Sequence, residues 1–202
     1  MTKHQLGRQL SSRSQSPKAE GAMASKPIAA EIYTTSHRIL GRIHPFGHGL
    51  YSFLNMQTTS YIEIESAKLS RLHQPNRLVA RYQSLGLVKP AIVAILVSSK
   101  SEIGPTGITG SFYRGREPQW VHVVLGGYEL RGTIETSGKF NFSSVMFEGE
   151  SIFLPLYNAE LTAILFPKIQ VESPAMLFNR KMVDVIGLMP RREIPEEPAS
   201  EA

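Results

Sequence analysis

Apolar and polar positions alternate in short runs along most of the chain. In "RILGRIH" (Arg38 to His44), Ile39, Gly41 and Ile43 share one parity, and Arg38 and Arg42 share the other. "ELRGTIE" (Glu129 to Glu135) repeats the pattern, and "YIEIE" (Tyr61 to Glu65) and "IFLPL" (Ile152 to Leu156) alternate likewise. A period of two places one set of side chains on each face of a β-strand. "EIY" and "HVV" are extended runs closed by the turns "TTSH" and "LGGY". "RLVARYQ" (Arg77 to Gln83) and "IQVESPAMLF" (Ile169 to Phe178) read as further strands. "AIVAILV" (Ala91 to Val97) is apolar at both parities, the mark of a central strand buried on both faces. The one helical turn expected in the first half is "LYSFLN" (Leu50 to Asn55). A glycine inside a strand, as at Gly41 and Gly132, predicts a sharp bend or a close backbone approach.

The pattern occurs twice. "AEIYTTSHRILGRI" aligns without a gap on "VHVVLGGYELRGTI", which sets Gly41 on Gly132 and Ile43 on Ile134. "LYSFLNM" then falls on "NFSSVMF", and after one inserted residue "YIEIESAKLSRLHQP" falls on "FLPLYNAELTAILFP". That sets Ala67 on Ala159, Leu69 on Leu161, Pro75 on Pro167 and Val79 on Val171, with a turn expected at Ser66 and at Asn158. "AIVAILV" falls on "MVDVIGL". The fold class expected is all-β: a tandem duplication of a small, strongly bent, five-stranded barrel-like unit, because few short strands avoid open edges best by curling. The boundaries are a disordered tail over 1–27, a first β repeat over 28–98, a Gly/Pro-rich linker over 99–118, a second β repeat over 119–190, and a disordered acidic tail over 191–202. Met23, just ahead of the first strand, reads as an alternative start.

Charge sharpens this division. The formal net charge is +5 in 202 residues, but the 1–27 tail alone carries +4. The first repeat has seven Lys/Arg against three Glu, and residues 120–189 have five against seven acids. There is no cysteine, which removes disulfides, thiolate metal sites and a cysteine nucleophile, and fits a reducing, cytoplasmic setting. The longest apolar run is far below the ~20 residues that span a bilayer, so no membrane partner is expected.

The second half resembles the Sm-like small β-barrels. "VHVVLGGYELRGTIE" is similar to that family's opening hairpin, "IFLPLYNAEL" to its middle strand, and "LFNRKMVDVIGL" to its closing strand pair. The likeness is fullest over 120–189 and looser over 29–98, and the first half is also similar to small bacterial β domains that imply no function. The Sm-like resemblance implies a bent five-stranded barrel whose edge strands pair into rings. It implies RNA binding only where the family's binding residues recur, and here they depart. The Asp-x-x-x-Asn loop falls near "TSGKFNFSSV", where Asn141 alone corresponds. The closing Arg-Gly is replaced by Asn179-Arg180-Lys181 and by Val88-Lys89-Pro90.

Little catalytic chemistry is on offer. Glu63 with Glu65, and Glu148 with Glu150, are paired carboxylates on alternating or loop positions, where Glu ordinarily solvates. His44, His48 and His73 do not share a helical face and read as surface residues. "GPTGITGS" and "SGKF" lack the lysine ending or the strand-then-helix setting of a phosphate loop. The candidate anion or partner contacts are Arg42, Lys68, Arg71, Arg77 and Arg81, with Arg77 and Arg81 at one strand parity, and Tyr51, Tyr61 and Tyr82 near them in sequence. The expectation is therefore a non-enzymatic binding or assembly module with no cofactor and no metal, partnered by another protein or by a second copy of itself. The alternative is a nucleic-acid-binding protein that uses the first repeat's basic face.

Overall fold

The computed structural model describes residues 26–45, 49–106 and 116–190. The 1–25 part of the expected first tail, the expected tail over 191–202, Met23, His48 and the 107–115 part of the expected linker lie outside the described residues. The elements are β1 (Ile28–Tyr33), β2 (His37–Ile43), α1 (Leu50–Asn55), β3 (Tyr61–Arg71), β4 (Gln74–Val88), β5 (Ala94–Val97), α2 (Lys100–Ile103), β6 (Arg116–Leu125), β7 (Tyr128–Ser137), α3 (Phe142–Phe147), β8 (Phe153–Ala163), β9 (Phe166–Asn179) and β10 (Val183–Leu188). Short 3-10 turns, Lys89–Ala91 and Arg180–Met182, lead into β5 and β10. The expected linker thus holds α2, capped by Ser99 and Glu102 in a reciprocal box, and β6 begins within it at Arg116. No described helix is long and apolar enough to cross a membrane.

The ten strands among the described residues join one antiparallel sheet in the order β10-β6-β7-β8-β9-β5-β1-β2-β3-β4. The sheet is open. Its ends are β10 and β4, so hydrogen bonding closes neither half into the expected barrel. The strand order within the first half is β5-β1-β2-β3-β4 and within the second β10-β6-β7-β8-β9. One ladder, β5 with β9, joins them: Ala94 lies opposite Phe178, Ile95 opposite Leu177, Leu96 opposite Met176 and Val97 opposite Ala175.

Each half bends at its glycine. The β2–β3 register shifts between Leu40 and Arg42, and the β7–β8 register between Arg131 and Thr133. Opposite these points stand Ser66 and Asn158, the non-glycine residues with positive φ among the described residues, at 51° and 46°. A single left-handed residue in one strand with a register slip in its neighbour is a bulge, which turns the sheet without breaking it. The expected turn at these residues is therefore a kink within a continuous strand, since β3 runs Tyr61–Arg71 and β8 runs Phe153–Ala163. The alignment also needs one adjustment. α1 and α3 cover Leu50–Asn55 and Phe142–Phe147, so the inserted residue falls ahead of the helices and not after them.

The seam is the most buried part of the sheet. All four residues of β5 are buried, as are Ala175 to Asn179 of β9. Ile95, Val97, Ala175 and Leu177 face one core, which holds α1, Ile62 and Ile64. Ala94, Leu96, Met176 and Phe178 face the other, which holds Val121, Val123 and Leu161. Alternation therefore feeds two cores from one ladder, and each core draws on both halves. "AIVAILV" had announced this by being apolar at both parities. Each fully buried Ile, Leu or Phe there contributes about 1.5–3 kcal/mol.

Tyr33 and Tyr128 meet in the second core, edge to face at 5.7 Å. Tyr128 Oη donates to Thr34 O at 2.6 Å, and Tyr33 donates to Glu31. Burial holds both phenols well above the ordinary value of 10.0. An acid whose folded pKa is raised contributes stability that is intact below its unfolded pKa and is lost as pH rises from there through the folded value. Stability should therefore fall from about pH 10 upward by roughly 1.4 kcal/mol per pH unit for each tyrosine. Lys89, whose pKa burial lowers, acts in the opposite direction below its ordinary 10.5. Urea unfolding between about pH 8 and 11.5 checks this, with Tyr128→Phe expected to flatten the alkaline slope.

Candidate functional site

Of the five basic candidates, the structure brings two together directly. Lys68 on β3 lies opposite Arg81 on β4, both exposed. Like charges facing each other across a ladder oppose pairing, so this pair persists in high dielectric at the surface. Arg42 lies opposite Glu65, whose carboxylate is 2.8 Å from His44 Nε2. Arg71 lies opposite His37 on one side and Gln74 on the other, at the far end of β3. Arg77 does not align with Arg81 as alternation suggested. The β3–β4 register shifts between Arg71 and Ser70, and again between Ser70 and Leu69, so β4 carries unpaired residues on either side of Leu78. A bulge resets parity, and the inference from spacing fails across it.

Arg42 and Lys68 share a groove of about 500 Å³ that crosses the seam. Glu31 and Ser66 lie on its first-half side, and Glu172, Ser173 and Pro174 on its second-half side. Glu31 accepts from Arg38 Nε at 2.6 Å and from Tyr33, and the hydrogen bond that Arg38 donates to Glu31 is the main reason the guanidinium pKa is raised. Ser173 Oγ lies 2.9 Å from Val97 O and 2.7 Å from Ala175 O, which ties β9 to β5 at the groove floor.

Most of the other candidates are held by side-chain contacts, two of which cross between the halves. Glu63 accepts from Ser84, Glu148 from Ser144 at 2.8 Å and Glu150 from Gln57 at 3.3 Å. His73 lies in the β3–β4 turn against Phe166, at the opposite end of β3 from His44. Tyr51 Oη is 2.8 Å from Ser151 Oγ of the other half, whereas Tyr61 and Tyr82 are exposed on the β3–β4 surface.

Sequence reasoning missed how the seam is locked. Asn55, at the end of α1, accepts from Ile152 N at 2.8 Å and Phe153 N at 2.9 Å and donates to Phe153 O at 3.0 Å. One amide thereby caps the start of β8 in the other half. Lys89 Nζ donates to Met56 O at 2.7 Å and Phe53 O at 3.4 Å, while Arg180 Nη1 donates to Glu148 O at 2.6 Å and Val145 O at 3.5 Å. Both cations are buried and satisfy the open carbonyls at the end of α1 and of α3. A signal for the cations existed: each stands a few residues ahead of the last strand of its half. Asn55 has no such signal, because its partners lie almost a hundred residues away.

The free edges contrast with the seam. Where β5 and the end of β9 are buried, β10 and β4 leave apolar side chains in solvent. Val185 is 57 % exposed and Leu188 46 % on β10, and Tyr82 is 41 % and Val88 55 % on β4. Compared with known proteins, the chain matches no protein-family model, no curated protein sequence and no solved structure.

Proposed function

We propose that this protein is a non-enzymatic assembly module made of two copies of one bent β unit, and that chains join head to tail through β10 and β4. One observation carries the reading: the β5–β9 seam. Inside the chain, the last strand of the first half pairs with the penultimate strand of the second. The same two kinds of strand, β10 and β4, are the free ends of the sheet and keep exposed apolar side chains. An unpaired edge of this kind is a template for another strand. Two different ends make the contact heterologous, so it closes into a ring or runs on as a filament. The duplication is supported by the shared strand order, by bulges at Gly41 and Gly132 opposite Ser66 and Asn158, and by Lys89 and Arg180 in matching roles. The Sm-like resemblance points the same way.

Sedimentation of purified, nucleic-acid-free protein tests this. Mass should rise with concentration at about 0.1 M salt and fall at about 1 M, where the Debye length shrinks from ~10 Å to ~3 Å. Arg77→Glu with Arg81→Glu should weaken the association. A strict monomer at low salt and high concentration overturns the reading. A second reading, single-stranded nucleic acid on the first half, is favoured by the exposed Lys68–Arg81 pair. It predicts a gel shift that weakens with salt and with the same substitutions, from protein that stays monomeric without oligonucleotide.

A further inference from the structure

The seam gives a residue-level template for the contact between chains. In the first half Val97 pairs with Ala30 and Ile95 with Ile32; in the second Leu188 pairs with Val121 and Ile186 with Val123. Leu188 thus stands where Val97 stands, and Ile186 where Ile95 stands. On the other side, Ser84 pairs with Glu65 as Ala175 pairs with Tyr157, and Gly86 pairs with Glu63 as Leu177 pairs with Pro155. Ser84 thus stands where Ala175 stands, and Gly86 where Leu177 stands.

We propose, resting on the assembly reading above, that β10 of one chain pairs with β4 of the next in the seam's own register. Leu188 then lies opposite Ser84, Gly187 opposite Leu85, Ile186 opposite Gly86 and Val185 opposite Leu87. Phe147 packs on Tyr61 of the next chain, and Glu160 faces its Arg81.

Three observations carry the proposal beyond edge pairing in general. The first is aromatic. Asn55 ends α1 and grips Ile152 and Phe153 across the seam. The residue that ends α3 in the same way is Phe147, 80 % exposed, and the residue that opens β3 as Phe153 opens β8 is Tyr61, 56 % exposed. In the contact between chains, an aromatic pair takes the place of the amide clamp. Both rings are costly to leave in water and they complement each other.

The second is charge. Lys68 and Glu172 line the groove over the seam from opposite sides. At the corresponding places, Glu160 pairs with Glu172 on β8 and β9, and Arg81 pairs with Lys68 on β3 and β4. The facing couple between chains is therefore Glu160 with Arg81, opposite in sign as Lys68 and Glu172 are, with the two signs exchanged. Glu160 is already faced by Arg131 on β7, whereas Lys68 faces Leu40 on β2, so the Lys68–Arg81 pair is the one that gains most from an acidic neighbour.

The third is the hairpin tip. Leu72, between β3 and β4, is buried in the second core against the other half. Ile164 holds the same place between β8 and β9, with its N–H on Gly127 O as that of Leu72 is on Ser36 O, yet it is 45 % exposed. A following chain on β10 covers it.

The chain has no cysteine, so introduced thiols report cleanly. Leu188→Cys protein is mixed with Ser84→Cys protein and oxidised. Residues directly opposite in an antiparallel ladder have Cα atoms about 4.5–5.5 Å apart, within disulfide reach, whereas a slip of two residues adds roughly 7 Å. The expected result is a disulfide-linked dimer from the Leu188→Cys and Ser84→Cys mixture, and little from Leu188→Cys with Gly86→Cys. Phe147→Ala should weaken association by about tenfold, the usual loss for a buried aromatic anchor, and leave thermal unfolding of the monomer unchanged. If the chains associate but the slipped pair cross-links equally well, or Phe147→Ala associates as the parent does, this register is overturned while the assembly reading stands. If no association occurs, both fall.

Discussion

Gly132→Val should destabilise the protein by about 3 kcal/mol, although valine is among the best strand formers. A Cβ on Gly132 would lie 2.8 Å from Leu156 Cγ, 2.8 Å from Tyr157 O and 3.2 Å from the Ala159 Cα. Leu156 is wholly buried, and Tyr157 O accepts from Thr133 Oγ1 at 3.1 Å, so neither yields without disturbing the core or the bend. A Cβ on Gly41 would be pinched in the same manner, against Ile64 Cγ2 and 3.0 Å from Glu65 O, and Gly41→Val should behave alike. At both places the constraint is space, since the closest contacts come from the facing strand at its bulge. Equilibrium urea unfolding measures the effect. A loss under about 1 kcal/mol would mean the strands do not approach as described, because overpacking a close-packed site ordinarily costs 1–3 kcal/mol or more.

Arg180→Met should lower stability by about 2–3 kcal/mol. Arg180 is 7 % exposed, and its guanidinium donates to Val145 O, Glu148 O and Gly149 O at the end of α3. An orphaned buried carbonyl costs roughly 1–3 kcal/mol, and removal of a buried cation that has no acidic partner among the described residues offsets part of that. Arg180→Lys should recover only part of the loss, because an ammonium lacks the planar fork that reaches separate carbonyls. Lys89→Met should cost less, about 1–2 kcal/mol, since Lys89 makes one short bond, to Met56 O at 2.7 Å, and one long one. Unfolding of these three variants beside the parent decides it. Stability of Arg180→Lys equal to the parent's would show that the fork geometry plays no part.

The strands, the helical turn at Leu50–Asn55 and the doubly buried β5 were legible in the sequence because each rests on local periodicity, and periodicity survives into the fold wherever one face is buried. The special character of Gly41, Gly132, Ser66 and Asn158 was legible for the same reason: a bulge is a local event that needs particular residues. The expected barrel was a plausible remedy for open edges, but composition cannot say which edge will cover another. The structure covers two of them by joining β5 to β9 across the chain, a pairing of residues some eighty apart that no local pattern encodes.

The candidate cations divide along the same line. Lys68 and Arg81 meet because both lie in regular ladder, whereas Arg77 is displaced by register shifts that a period-two count passes over. Local pattern settles which residues want to be strand, which want to be buried, and where the strands must bend. The tertiary structure alone decided that Asn55 grips the other half, that Arg180 and Lys89 close helices, and that β4 and β10 are left as unpaired ends. Side-chain alternation fixes the faces of a strand, but the choice of neighbour depends on which long-range pairing buries the most surface, and that is settled only when the whole chain has packed.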